Sequence, residues 1–108
     1  PFPMVRKGDT CFEFDGTPNL PIGIMATDYI AQSIQLDAGD ELFIYTDGIT
    51  ESHRDSELFG AEGFGRAVLD GPIGAGTLDR LVEQSLEWSG KSVFDDDATA
   101  VRITRSSE

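Results

Sequence analysis

The feature that most restricts the fold is a short apolar run that ends in an acidic turn. Glu41–Tyr45 (ELFIY) is continuously apolar after its first residue, and Thr46-Asp-Gly48 follows it directly. A short apolar run bounded by a turn signal is typical of a central strand that is covered on both faces. Such a strand would deliver the Asp47 carboxylate to the edge of a sheet, with Gly48 allowing a tight turn. We therefore predict a sheet whose central strand ends in a candidate site.

Four other segments have the pattern of strands. Phe2–Val5 and Thr10–Phe14 flank a turn at residues 6–9 and predict a hairpin. Tyr29–Leu36 alternates between apolar and polar residues, and so does Ala98–Ile103 near the end of the chain. These segments predict a sheet made mostly from the first half of the chain and completed by a last strand.

Two segments predict helices. Ala61–Leu69 has helical spacing, although Gly63 and Gly65 each cost about 1 kcal/mol relative to alanine. The second helix follows Thr77, a plausible N-cap, and its apolar face comprises Leu78, Leu81, Val82, Ser85 and Leu86. Strands followed by helices and a final strand indicate an α+β fold, with helices packed on an antiparallel sheet.

The charge balance narrows the partners. The chain has 8 Lys and Arg against 20 Asp and Glu, a formal net charge of −12. Proteins bind nucleic acids and anionic membranes through clustered basic residues, so neither is expected as a partner of this chain. The expected charged partner is a divalent metal ion. The single cysteine, Cys11, allows no internal disulfide and fits a cytoplasmic location.

Carboxylates follow or precede two of the predicted strands. Asp47 follows the central one, and Asp95-Asp-Asp97 precedes the last one. Three consecutive carboxylates repel one another unless they are solvated or neutralised by a cation. Oxygen ligands without His or Cys suit Mg²⁺, Mn²⁺ or Ca²⁺. The spacing alone leaves two readings open, a metal site that needs further ligands or a turn and a solvated loop.

Three other residues have simpler interpretations. His53 lies in a polar stretch and is predicted at the surface, and Trp88 is predicted as a packing anchor at a helix end. Glu51 follows Asp47 closely and could support a metal ligand, although an exposed loop acid is the simpler interpretation.

An ordered series of motifs resembles one family. The series is Leu20–Ile24 (LPIGI), Leu36–Glu51 (LDAGDELFIYTDGITE), Glu57–Gly60 (ELFG) and Asp96–Val101 (DDATAV). It resembles the metal-dependent serine/threonine protein phosphatases, in the bacterial branch typified by the sporulation stage II protein E phosphatase and sigma-factor regulators. The match runs over nearly all 108 residues.

The resemblance implies an antiparallel β-sandwich with flanking helices, as part of a four-layer α-β-β-α fold. It also implies a dinuclear Mn²⁺ or Mg²⁺ centre, to which Asp47 and Asp96 would contribute metal ligands. Asp97 falls on a motif position that is Asp or Asn in the family and is not usually a ligand. The implied reaction is attack by a metal-activated water on phosphoserine or phosphothreonine.

The chain departs from the family in its length. Full domains of the family run to about 200 residues, within the usual range for domains. Their N-terminal half supplies further metal ligands through an Asp-x-x-Gly-His-Gly type motif, which this sequence lacks. We therefore expect residues 1–108 to be the C-terminal portion of one phosphatase domain, inactive alone.

The leading hypothesis is thus a portion of a protein serine/threonine phosphatase. The alternative is a non-catalytic pseudophosphatase or regulatory interaction module. A third hypothesis is a β-rich interaction domain whose acidic loops are merely solvated. The resemblance implies a phosphorylated protein substrate, such as an anti-sigma-factor antagonist, and an upstream sensor or receiver domain. An uncovered core face would favour self-association of the piece.

Overall fold

The computed structural model describes residues 1–14 and 33–106. The elements in this part of the chain are β1 (Met4–Lys7), β2 (Thr10–Glu13), β3 (Glu41–Tyr45), α1 (Asp47–Thr50), β4 (His53–Arg54), β5 (Glu57–Leu58), α2 (Gly60–Leu69), α3 (Gly76–Ser89) and β6 (Ala100–Thr104). The predicted α+β class, with an antiparallel sheet and packed helices, is confirmed.

Four strands form one antiparallel sheet in the order β2-β1-β3-β6, and β4 and β5 form a separate hairpin. The predicted first hairpin is confirmed, but its turn is shorter than expected. Arg6 and Lys7 belong to β1, and Gly8 makes the turn at φ +59°. Leu20–Ile24 and most of the predicted strand Tyr29–Leu36 lie outside the described residues, and residues 33–36 form no strand.

Strand β3 lies inside the sheet, but its two faces differ. Phe43 is buried on the inner face, whereas Ile44 and its cross-strand partner Val101 are 50% and 49% exposed. The prediction that β3 is covered on both faces is therefore wrong for the described part of the chain. We call the opposite surface the outer sheet face. It comprises the buried Val5 and the partly exposed Phe12, Leu42, Ile44, Val101 and Ile103.

The core lies between the inner face of the sheet and helices α2 and α3. The Phe64 ring of α2 packs on Phe43 and Tyr45, with ring centroids 5.6 Å and 4.6 Å apart. The predicted α2 is confirmed, and a close contact explains one of its glycines. A Cβ at Gly63 would lie 2.7 Å from Cγ of Phe59, so glycine makes room for that buried ring.

Helix α3 forms as predicted but begins earlier. It starts at Gly76 and ends against Gly90, whose φ of +72° suits a C-terminal glycine. The N-cap prediction for Thr77 is wrong, because Thr77 lies inside the helix and its buried Oγ1 has no hydrogen-bond partner within residues 1–14 and 33–106. Among the described helices, none is both long enough and apolar enough to cross a membrane.

The unpartnered hydroxyl leads to a first prediction. Thr77→Val should raise the free energy of unfolding by about 1 kcal/mol, because it removes a buried polar group without creating a cavity. Thr and Val have similar helix propensities, so propensity does not mask the effect. Urea denaturation measures the change, and Thr77→Ser, which keeps the hydroxyl and loses the methyl group, should destabilise the protein. A less stable Val variant would mean that the hydroxyl is in fact satisfied.

Candidate metal site

The end of β3 and the start of β6 are joined beyond their last ladder pair. Tyr45 pairs with Ala100, and the next residues continue the contact. The Thr46 amide donates to the Thr99 carbonyl at 2.9 Å, and the Thr99 amide donates to Thr46 Oγ1 at 2.9 Å. The two acidic segments therefore leave the sheet at the same edge.

Gly48 brings these segments into direct backbone contact. It is buried, and a Cβ at this position would lie 2.9 Å from the carbonyl carbon of Asp97 and 3.2 Å from Cα of Ala98. Its φ is not in the left-handed region, so the sequence requires glycine here for close approach rather than for a special turn. The chain continues as the four-residue helix α1, where we had predicted a sharp turn.

The two predicted ligands line neighbouring concavities rather than one pocket. Asp47 is exposed and borders a hollow of about 320 Å³ with Glu13. Asp96 is exposed and borders a cleft of about 400 Å³ with His53. Glu51 lines both concavities and so connects them.

The described residues alone do not complete a metal centre. Within residues 1–14 and 33–106, no three His, Cys, Asp or Glu side chains are grouped so that they could hold a metal ion. Asp47 and Asp96 share an edge of the sheet, and any further ligands would have to come from elsewhere.

Lys91 pairs with only one of the three consecutive aspartates, Asp95. Its Nζ lies 2.6 Å and 2.7 Å from the two carboxylate oxygens of Asp95, and this hydrogen-bonded ion pair lowers the pKa of Asp95 below its ordinary value. Asp96 instead accepts a hydrogen bond from the Asp97 amide at 2.8 Å, and neither Asp96 nor Asp97 has an ion pair with a described residue. One of the three charges is thus neutralised internally and two are left for solvent or a cation.

The hairpin β4–β5 forms one wall of the cleft and was not predicted from the sequence. The residues around His53 were predicted only as a polar stretch, whereas two short strands flank a turn in which Asp55 has φ +56°. His53 is exposed as predicted, with Nδ1 3.4 Å from the Glu51 carbonyl oxygen.

Helix α3 supports this edge from behind. The buried Ser85 hydroxyl donates to the Ile49 carbonyl at 2.7 Å and lies 2.8 Å from the Ser52 hydroxyl. Trp88 Nε1 donates to the Glu57 carbonyl at 3.0 Å. Ser85 was predicted on the apolar face of α3, but its hydrogen bonds to residues far away in sequence could not be predicted.

Comparisons with known proteins agree on one family. A sequence model of stage II sporulation protein E matches residues 1–106. A sequence search against curated proteins finds no significant match.

Solved structures of the cell fate determinant SpoIIE from Bacillus subtilis share the fold. A structure of its PP2C phosphatase domain with a fragment of the regulatory domain has TM-score 0.76 and 29% identity, over 96% of this chain and 31% of that one. A form without domain swapping has TM-score 0.71 and 27% identity, over 94% and 45%. A phosphatase domain presoaked with Mn has TM-score 0.73 and 22% identity, over 98% and 47%. The chain therefore spans less than half the length of these structures.

Proposed function

This chain belongs to the stage II sporulation protein E family, and we propose that it forms the C-terminal portion of a metal-dependent protein serine/threonine phosphatase domain. One observation carries the proposal. Thr46 and Gly48 hold the two acidic segments together at one edge of the sheet, although the residues in contact are about fifty positions apart in sequence. Residues 1–108 would contribute part of the site, and the remainder of the domain would pack on the outer sheet face.

Asp47 and Asp96 would bind the metal, Mn²⁺ or Mg²⁺, in a centre that is dinuclear when the domain is complete. Both carboxylates are exposed oxygen donors, and Asp96 forms no ion pair with a described residue. A divalent cation held there supplies Lewis-acid chemistry for the hydrolysis of a phosphomonoester. Manganese is also named for one of the similar SpoIIE structures.

The chain's own side chains favour attack by water over a covalent intermediate. Burial raises the pKa of the Cys11 thiol to about 11, so almost no thiolate is present near neutral pH. His53 has no nucleophilic side chain among its described hydrogen-bond partners. The roles left to this segment are to bind metal through Asp47 and Asp96 and to shape the cleft through the β4–β5 hairpin.

We propose the substrate and setting on the family resemblance alone. The substrate is a phosphorylated signalling protein, such as an anti-sigma-factor antagonist, in the cytoplasm or in a cytoplasmic domain of a larger protein. An upstream sensor or receiver domain would control the phosphatase. The separate 108-residue piece would be inactive and would self-associate through its outer sheet face.

One observation favours a second candidate, a non-catalytic pseudophosphatase or regulatory interaction module. The described residues contain no three-membered ligand group. If the rest of the domain supplies no further carboxylates, the fold would persist as a binding module.

A metal titration of the complete phosphatase domain tests both candidates. Asp47→Asn and Asp96→Asn should each weaken Mn²⁺ binding by at least about tenfold, and both should reduce phosphate release from a phosphoserine peptide. Asp97→Asn is the matched control, since it removes an adjacent negative charge without removing a proposed ligand. Unchanged Mn²⁺ affinity in the first two variants would contradict the metal role. Mn²⁺ binding without phosphate release would support the pseudophosphatase.

A further inference from the structure

Two arginines differ from all other basic residues in this acidic chain. The six basic side chains with an ion-pair or hydrogen-bond partner are Arg6, Lys7, Arg80, Lys91, Arg102 and Arg105. Arg54 and Arg66 have neither among the described residues, although acids outnumber bases 20 to 8. Both guanidinium groups lie over the ring of Trp88 instead, at 4.0 Å and 5.6 Å from its centroid.

These three side chains belong to a groove of about 370 Å³ between the β4–β5 hairpin, α2 and α3. We call it the tryptophan groove; it is lined by Arg54, Phe59, Arg66, Asp70, Gln84, Glu87 and Trp88. Trp88 is partly exposed, and Phe59 is buried beside it with the ring centroids 6.5 Å apart. The groove therefore combines an aromatic surface with two exposed positive charges.

The groove holds two guanidinium groups close to one aromatic ring. One guanidinium over an indole ring is a favourable cation–π contact, but a second one nearby adds repulsion between like charges. Asp70 and Glu87 line the same groove, but neither forms an ion pair with a described residue, and Asp70 accepts a hydrogen bond from Gln84 Nε2 at 2.7 Å. Both guanidinium groups are therefore available to pair with carboxylates of a binding partner.

We propose that the tryptophan groove binds an acidic segment of a protein partner. Arg54 and Arg66 would pair with its Asp or Glu side chains, since a guanidinium presents a planar fork that fits a carboxylate. A neighbouring apolar side chain of the segment would pack on Trp88. Arginine and tryptophan are also the residue types most enriched where protein interfaces derive their affinity. Nucleic acid does not fit, because two arginines beside Asp70 and Glu87 do not form the clustered basic patch that binds a phosphate backbone.

The tryptophan groove lies on the other side of the hairpin from the candidate cleft. His53 and Leu58 line the cleft, whereas their neighbours Arg54 and Phe59 line the groove. A partner held in the groove would therefore be next to the cleft without occupying it. The inference does not depend on metal binding or on phosphate hydrolysis.

Fluorescence anisotropy with the full-length protein tests the inference. The probe is a fluorescein-labelled octapeptide in which Glu alternates with Leu, and its control carries Lys in place of Glu. We expect saturable binding of the Glu peptide only. The double variant Arg54→Gln with Arg66→Gln should weaken this binding about tenfold, and 0.5 M salt should weaken it as well. Arg105→Gln is the matched control, since it removes one exposed arginine outside the groove, and should bind as the wild type does.

Each other outcome overturns the inference. Equal binding of the Lys peptide, no saturable binding, or unchanged affinity in the double variant would exclude recognition of an acidic segment. Complete competition by millimolar inorganic phosphate would assign the groove to free phosphate instead. If the double variant fails to fold, the peptide affinity of Arg66→Gln alone decides the test. This side chain is exposed and makes no described hydrogen bond, so its replacement should not disturb folding. Asp47→Asn should leave peptide binding unchanged, so failure of the phosphatase proposal is distinguishable.

Discussion

Glu41→Gln is expected to lower the free energy of unfolding by about 3–5 kcal/mol, the usual cost of breaking a buried ion pair from one side. Glu41 is 0% exposed and lies on the inner face of the sheet. Its Oε2 pairs with Arg102 Nε, and its Oε1 lies 3.8 Å from an Arg6 guanidinium nitrogen. Glutamine preserves the shape of the side chain, so the loss comes from charge and not from a cavity.

Arg6 is buried too deeply for its guanidinium group to reach solvent when the charge of Glu41 is removed. It is only 7% exposed, and it also donates to the carbonyls of Gly8 and Val68 at 2.9 Å and of Gly71 at 3.1 Å. These bonds attach β1 to the end of α2 and hold the guanidinium beside Glu41. In the variant, two arginines would remain near a neutral side chain that can compensate neither.

Urea denaturation of Glu41→Gln measures the loss, with Asp37→Asn as the control. That substitution also neutralises a carboxylate in an ion pair, 3.6 Å from Lys7 Nζ, but the Asp37 side chain is well exposed. A surface pair of this kind is worth at most about 1 kcal/mol. If the two variants lost equal stability, burial would not be what makes the Glu41 pair important.

The network around Glu41 also illustrates what the sequence can predict. Periodicity identified β3, α2 and α3, because the apolar spacing of each depends on neighbouring residues only. It placed Glu41 merely at the polar start of an apolar run. The partner Arg102 is 61 residues away, and nothing local indicates that the two side chains meet.

The wrong predictions also arise because local sequence patterns do not reveal contacts between distant segments. Ile44 was predicted to be covered, but it is exposed in the described part of the chain, because an apolar run does not reveal which segment supplies the covering layer. Thr77 was predicted as an N-cap because residue type alone does not fix where a helix begins, and α3 starts at Gly76, two residues earlier than predicted. The hairpin that contains His53 was missed because strands of two residues are too short for periodicity to be detected.

The candidate site shows where family resemblance adds to local patterns. Spacing alone did not decide whether Asp47 and Asp96 are metal ligands or solvated acids. Their role as ligands stays a prediction. The structure adds how they come to share an edge, through Thr46 bonded to Thr99 and Gly48 against Asp97. It also distinguishes Asp95, which Lys91 engages, from Asp96.

The close approach at Gly48 predicts the second large effect. Gly48→Ala should lower the free energy of unfolding by about 3 kcal/mol, at the upper end of what an added methyl group costs in a packed interior. The new Cβ would overlap backbone atoms of Asp97, which cannot turn aside as a flexible side chain can. Relief requires the two acidic segments to separate, so Mn²⁺ binding in the complete domain should weaken as well.

Gly65→Ala is the matched control for this substitution, because it adds the same methyl group at another buried glycine. The nearest described atom to a Cβ there is Cβ of Cys11 at 3.8 Å, and the position inside α2 favours alanine by up to about 1 kcal/mol. We therefore expect urea denaturation to show opposite signs for the two variants. Equal stability of Gly48→Ala and the wild type, with Mn²⁺ affinity unchanged, would mean that contact between the acidic segments does not hold the site together.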